Sequence, residues 1–125
     1  MSTPPSPPVI LVRPRVYIGE SLSIGPGKID LLQEIEKTRS IAAAARAMGM
    51  PYKRAWLLID SLNTGFGRPV VITASGGKGG GGANLTPLGR ELLHRYAALE
   101  QRINAAALPE LDALQSLAGE SELAD

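Results

Sequence analysis

The chain has 125 residues, 44% of them hydrophobic, with no Cys, a single His and a formal net charge of +1. That length suits one compact domain with tails. The composition excludes disulfides and thiolate metal sites, His94 alone cannot make a multi-histidine site, and no apolar run approaches the roughly twenty residues of a membrane span. The small net charge hides an asymmetry. Residues 1–90 hold eleven Lys or Arg against five acids, and residues 91–125 hold two against seven. From Ser61 through Arg90 there is no acid at all. A basic body with an acidic C-terminal segment suits a body that meets a polyanion; accidental asymmetry is the plain alternative. The N-terminal MSTPPSPP lacks the basic-then-apolar pattern of a secretion signal, so a cytoplasmic protein is expected.

Residues 1–8 carry four prolines and no periodicity, which predicts a disordered tail. Val9 to Ile18 (VILVRPRVYI) alternates Val12, Pro14, Val16 and Ile18 with Arg13, Arg15 and Tyr17. That predicts a half-buried strand, and Pro14 puts part of it on a sheet edge. Glu20 to Gly27 predicts a short strand end and a Gly-Pro-Gly break. A first helix is expected from near Pro26 to about Lys37, with Ile29, Leu32 and Ile35 on its apolar side and Leu31 beside them.

Ser40 to Asn63 (SIAAAARAMGMPYKRAWLLIDSLN) predicts two helices around a tight turn. Ser40 is a candidate N-cap, and Ile41 to Met48 a short helix whose Ala44 and Ala45 allow close approach. Gly49 suits the left-handed stop, and Pro51 the first turn of the next helix. Ala55, Ile59 and Leu62 form one apolar stripe. Off that stripe, at the exposed start of the helix, stand Tyr52, Lys53 and Arg54. Such a helical pair matches a DNA-reading helix-turn-helix; an ordinary helical hairpin with solvated cations fits the same residues.

Thr64 to Pro69 predicts a turn-rich loop. Val70 to Ile72 and Ala83 to Leu85 predict two strands, joined by a glycine loop (Ala74 to Gly82) that carries Lys78. Two strands and a flexible loop directly after the second helix of the pair make a wing. Thr86 and Pro87 then open a long helix as N-cap and first residue. Its apolar residues Leu92, Tyr96, Leu99, Ile103 and Ala106 alternate spacings of four and three, and Leu88 extends the stripe. They serve either a self-associating helix pair or the chain's own core. Pro109 interrupts the helix, and Glu110 to Ala118 predicts one more segment using Leu111, Leu114 and Leu117. The expected organisation is a tail (1–8), one domain (9–107), and a short helix with a frayed acidic end (108–125).

The glycine loop does not meet the requirements of a nucleotide site. Lys78 is followed by Gly79 rather than Ser or Thr, and a strand rather than a helix follows the loop. No nucleophile has a histidine nearby, and His94 lies on a long helix. No enzymatic activity, cofactor or metal is expected. Duplex DNA is the expected partner. Tyr52, Lys53 and Arg54 suit the major groove, where Arg can contact guanine bidentately. Lys78 suits the minor groove or backbone, and Arg68 a phosphate. With Ser40, these make the candidate DNA-contacting set. Trp56 is expected to pack rather than to contact bases. Two rival roles keep the same fold: a protein-interaction module acting through the acidic C-terminal segment, and an anion binder using the glycine loop as a nest.

Three stretches carry a family resemblance: Pro51-Tyr-Lys-Arg-Ala-Trp56, Gly76-Gly-Lys-Gly-Gly-Gly-Gly-Ala83, and Leu85-Thr-x-x-Gly89. Over roughly Ile24 to Ile103 the chain resembles the N-terminal DNA-binding domain of the ModE family of molybdate-responsive transcriptional regulators. Leu85-Thr-x-x-Gly89 and Ser40…Ala44-Ala45…Met48-Gly49-Met50 are also similar to the LysR-type winged helix. The resemblance implies a fold that is mainly α with a small β-sheet, a winged helix-turn-helix with an N-terminal strand and a long C-terminal dimerisation helix. It further implies a bacterial homodimer on a palindromic operator, associated with the nucleoid when DNA-bound. Two departures stand out. The family usually has Ser at the start of the recognition helix, where this chain has Pro51. Full-length members also carry molybdate-binding domains, which a chain ending at Asp125 leaves no room for. The expectation is a stand-alone DNA-binding protein, or one whose sensor is a separate protein.

Overall fold

The computed structural model describes the backbone of residues 11–74 and 82–124, and the side chains of 11–74 and 82–119. Among the described residues five helices carry two small hairpins. The first hairpin pairs β1 (Val16–Ile18) with β2 (Leu22–Ile24), antiparallel, with Val16 opposite Ile24 and Ile18 opposite Leu22. Gly19 supplies the left-handed residue its turn requires, at φ 64°.

The long first strand expected over Val9–Ile18 is therefore only three residues within the described part. Residues 11–15 run instead as an arm along the long helix α4 (Pro87–Ala106). Among the described residues the arm has no neighbouring strand, and helix side chains satisfy its backbone. Asn104 behaves like a strand partner: its Oδ1 accepts from the Val12 N–H at 2.7 Å and its Nδ2 donates to the Val12 carbonyl at 2.9 Å. The Tyr96 hydroxyl donates to the Pro14 carbonyl at 2.7 Å. Arg13 ties the arm to Asp30 at 2.7 Å and to Glu100 at 3.2 Å. The hydrogen bond to Asp30 holds its guanidinium above its ordinary pKa, against a smaller opposing effect of burial.

Helix α1 (Pro26–Thr38) buries Ile29, Leu31, Leu32 and Ile35 as the pattern predicts. Helix α2 (Ile41–Ala47) packs on it through Ile41, Ala44 and Ala45. Helix α3 (Tyr52–Phe66) buries Ala55, Ile59 and Leu62 completely. Full burial of a side chain such as Ile59 or Leu62 contributes roughly 1.5–3 kcal/mol. The helix runs through Thr64 to Phe66, which the sequence predicts as a loop. Gly65 is the reason: a Cβ there would lie 2.5 Å from Leu22 Cδ1, so the glycine admits the hairpin instead of ending the helix. Gly67, at φ 71°, is the actual cap.

The second hairpin joins β3 (Val71–Thr73) to β4 (Ala83–Leu85), with Val71 opposite Leu85. It begins one residue later than expected, because the Val70 N–H is taken by Asn63 Oδ1 at 2.8 Å. Thr86 caps α4 by accepting from the Gly89 N–H at 3.1 Å. Along α4, Leu92 and Tyr96 are buried, Leu88 and Ile103 are half-buried, and Leu99 and Ala106 are exposed. The stripe thus covers the chain's own core in part and leaves the rest open. Helix α5 (Leu108–Ala124) follows Ala107, with Pro109 in its first turn. Of the three leucines expected to pack from it, only Leu111 does; Leu114 and Leu117 are 57% and 66% exposed.

Lys28 is the one charged residue buried among the described ones. Its ammonium donates to the Ser23 carbonyl at 2.7 Å and to Ser61 Oγ at 2.9 Å. Burial, with a smaller contribution from Arg15, lowers its pKa. This lysine ties the first hairpin to α3 inside the domain and lies apart from the candidate interface.

Candidate nucleic-acid interface

The turn between α2 and α3 follows from the sequence. Gly49 sits at φ 66°. Its N–H donates to the Arg46 carbonyl at 3.1 Å, and the Met50 N–H donates to Ala45 at 3.0 Å. That is the Schellman arrangement, which only a left-handed residue after the helix can close. Ser40 begins α2 as expected, accepting from the Ala43 N–H at 3.0 Å. This leaves its hydroxyl proton free to donate. Pro51 is the N-cap of α3 rather than its first helical residue, and its carbonyl accepts from Arg54 and Ala55. Among the described residues no side chain caps that end.

Tyr52, Lys53 and Arg54 are all exposed on the first turn of α3. Among the described residues neither Lys53 nor Arg54 forms an ion pair. Successive helical residues turn by ~100°, so the three fan around the helix tip instead of sharing one line. Lys53 heads the outermost line, followed by Leu57, Asp60 and Thr64, all exposed. Asp60 lies ~10 Å along the axis from Lys53 at 1.5 Å per residue. Its negative charge sets how much of the helix suits a phosphate-lined groove.

The Tyr52 ring meets Trp56 edge-on, with centroids 6.4 Å apart and planes at 79°. Trp56 is half-buried and packs against the core, as predicted. Tyr52, Trp56, Ser40, Thr73 and Gly82 line a cleft of about 250 Å³ between the helix pair and the second hairpin. The structure therefore brings Ser40 and Tyr52 together with the base of the wing. Arg68 is exposed but sits beyond the other end of α3, a helix of fifteen residues and so ~22 Å long. Lys78 lies outside the described residues.

One cation at this junction was not singled out by sequence reasoning. Arg39, the C-cap of α1, takes a left-handed conformation with φ 57° and ψ 31°. Its carbonyl accepts from the Ala83 N–H of β4 at 2.9 Å, and its guanidinium reaches Asn84 Oδ1 at 3.4 Å. The available signal was its position, one residue before the Ser40 cap, where a helix end favours glycine.

No family model matches the chain. Curated relatives do. MopB of Rhodobacter capsulatus, a molybdenum-pterin-binding protein, is 47% identical over 77 residues, 62% of this chain and 28% of that protein. The transcriptional regulator ModE of Yersinia pestis is 42% identical over 80 residues, 64% of this chain and 30% of that protein. The DNA-binding transcriptional dual regulator ModE of Escherichia coli K12 is 40% identical over 82 residues, 66% of this chain and 31% of that protein. The chain thus spans less than a third of the length of these relatives. Among solved structures, the CbnR DNA-binding domain in its DNA complex superposes with a TM-score of 0.52 at 17% identity, covering 74% of this chain and 95% of that one. A LysR family transcriptional regulator gives 0.50 at 14% identity, covering 66% of this chain and 27% of that one. The chain is therefore a homologue, over its N-terminal region, of the ModE, MopA and MopB proteins, and its fold is the winged helix-turn-helix of LysR-type DNA-binding domains.

Proposed function

We propose that this chain is a sequence-specific DNA-binding transcriptional regulator that acts as a homodimer on a palindromic operator. The observation that carries this is the tip of α3: Tyr52, Lys53 and Arg54 are exposed on its first turn, and no internal partner offsets the two cations among the described residues. A helix of ~10–12 Å diameter fits a major groove ~12 Å wide. Arg54 then supplies a bidentate base contact, and Lys53 and Tyr52 contact phosphates or base edges. The uncapped amides of the first α3 turn add donors at the positive end of the helix dipole. Ser40 donates its free hydroxyl proton to a phosphate across the cleft. Lys78 and Arg68 contact the backbone at the wing and beyond the far end of α3.

Dimerisation rests on a second observation. A groove of about 280 Å³ runs between the first hairpin and α4, with Val16, Ile18 and Ile24 on one wall and Leu88, Leu92 and Leu99 on the other. Ile18 is 49% exposed there and Leu99 36%. A second copy laid across this groove would cover both.

Selection of bound fragments from a random DNA pool tests binding, symmetry and spacing together. The expected product is an inverted repeat with half-site centres one helical turn apart, about 10 base pairs, or a multiple of that. Recovery of no enriched fragment, or of an asymmetric single site, refutes the proposal.

A further inference from the structure

Resting on the DNA-binding role above, we propose that Arg39 is a further phosphate-contacting residue, one that the fold itself does not need. Its left-handed conformation, φ 57°, is one that glycine adopts freely and an arginine only at a cost. What the fold draws from this position is main chain. The N–H donates to the Ile35 carbonyl at 2.7 Å, closing α1, and the carbonyl accepts from Ala83 at 2.9 Å, fastening the wing. Glycine would make both bonds without strain. The side chain therefore needs a reason of its own.

Inside the described protein the guanidinium finds one long hydrogen bond, 3.4 Å to Asn84 Oδ1, and no acid. Glu34, five residues back, is paired with Lys37 at 3.2 Å, and Glu36, the acid one helical turn back, is exposed and forms no ion pair with Arg39 among the described residues. Asn84 uses one of the five guanidinium donors and leaves a fork of N–H groups free. The residue is exposed and precedes Ser40, which lines the cleft shared by Tyr52 and the wing base. A cation held by a neutral amide on the rim between reading helix and wing is arranged for the duplex backbone, whose phosphates take a guanidinium bidentately. Strain located at a site of use is the expected pattern.

The test compares wild type, Arg39→Gly and Arg39→Lys, using a fragment recovered from the random pool and affinities measured from 0.05 to 0.4 M salt. Thermal unfolding is measured alongside. Arg39→Gly is expected to melt at the wild-type temperature or up to about 5 °C higher, because the strain is gone. Its salt slope should fall by about 0.9, which corresponds to about eightfold weaker binding at 0.1 M salt relative to 1 M. Arg39→Lys should keep the wild-type slope. If wild type binds with a steep slope and Arg39→Gly shows the same slope, the contact is overturned while the DNA-binding role stands. A fall of more than about 5 °C in the melting temperature of Arg39→Gly also overturns it, since the side chain would then be structural. Absence of salt-dependent wild-type binding removes the DNA-binding role and this contact with it.

Discussion

The same substitution in the first turn of two helices should have opposite signs. Gly27 is the second residue of α1, directly after Pro26, and Gly89 the third of α4, two after Pro87. In a helix, Gly→Ala contributes roughly 0.5–1 kcal/mol when the site has room. At Gly27 an added Cβ meets nothing within 4 Å. At Gly89 it would collide with the Val70 carbonyl oxygen and lie 3.3 Å from Leu85 Cβ. That carbonyl cannot simply yield, because it accepts from the Thr86 N–H at 2.9 Å where the wing joins α4. Overpacking costs about 1–3 kcal/mol, and a lost hydrogen bond about 1 kcal/mol more. These outweigh the propensity gain. Gly89→Ala should lose about 1–3 kcal/mol, a fall of roughly 5–12 °C in Tm, and Gly27→Ala should gain about 0.5 kcal/mol or ~2 °C. Urea unfolding followed by the fluorescence of Trp56, the one Trp in the chain, measures both. Equal shifts for the two variants would refute the packing account of Gly89.

Lys53→Ala should lower the salt slope of DNA binding by about 0.9. Arg54→Ala should instead relax preference at one base position, at a cost of about 1–3 kcal/mol for the correct base. Neither should change stability by more than about 0.5 kcal/mol, because both side chains are exposed. Ile18→Asp places a charge in the groove between hairpin and α4, and sedimentation should then report a monomer where wild type is a dimer. A dimer that survives this change uses another surface. Lys28 predicts a pH dependence. Its folded pKa is lowered from 10.5, so the unfolded chain holds that proton more tightly. Wild-type stability should therefore rise as pH climbs toward 10.5, relative to Lys28→Met, which lacks the titration. Parallel stability curves for the two proteins between pH 7 and 10 would contradict the burial of a charged Lys28.

Much of the fold was legible because its signals are local. Ser40, Gly49 and Thr86 act on neighbours three or four residues away, through bonds any isolated helix end would make, and Pro87 acts through its own fixed φ. The stripes Ile29–Leu32–Ile35 and Ala55–Ile59–Leu62 show their faces by periodicity alone, and the exposed cations at the start of α3 follow from being off that stripe. What escaped was non-local. Asn104 grips Val12 across 92 positions of sequence, so nothing near Val12 betrays that it leans on a helix and not on a strand. Gly65 carries the same letter whether it ends a helix or admits Leu22. Leu114 and Leu117 match Leu111 in pattern, yet only Leu111 meets a surface. The left-handed turn at Arg39 exists because α1 must stop where the wing strand comes back to meet it. Short-range hydrogen bonds and hydrophobic period are properties of a segment. Which surface a segment meets depends on chain far away in sequence, and only the folded packing decides that.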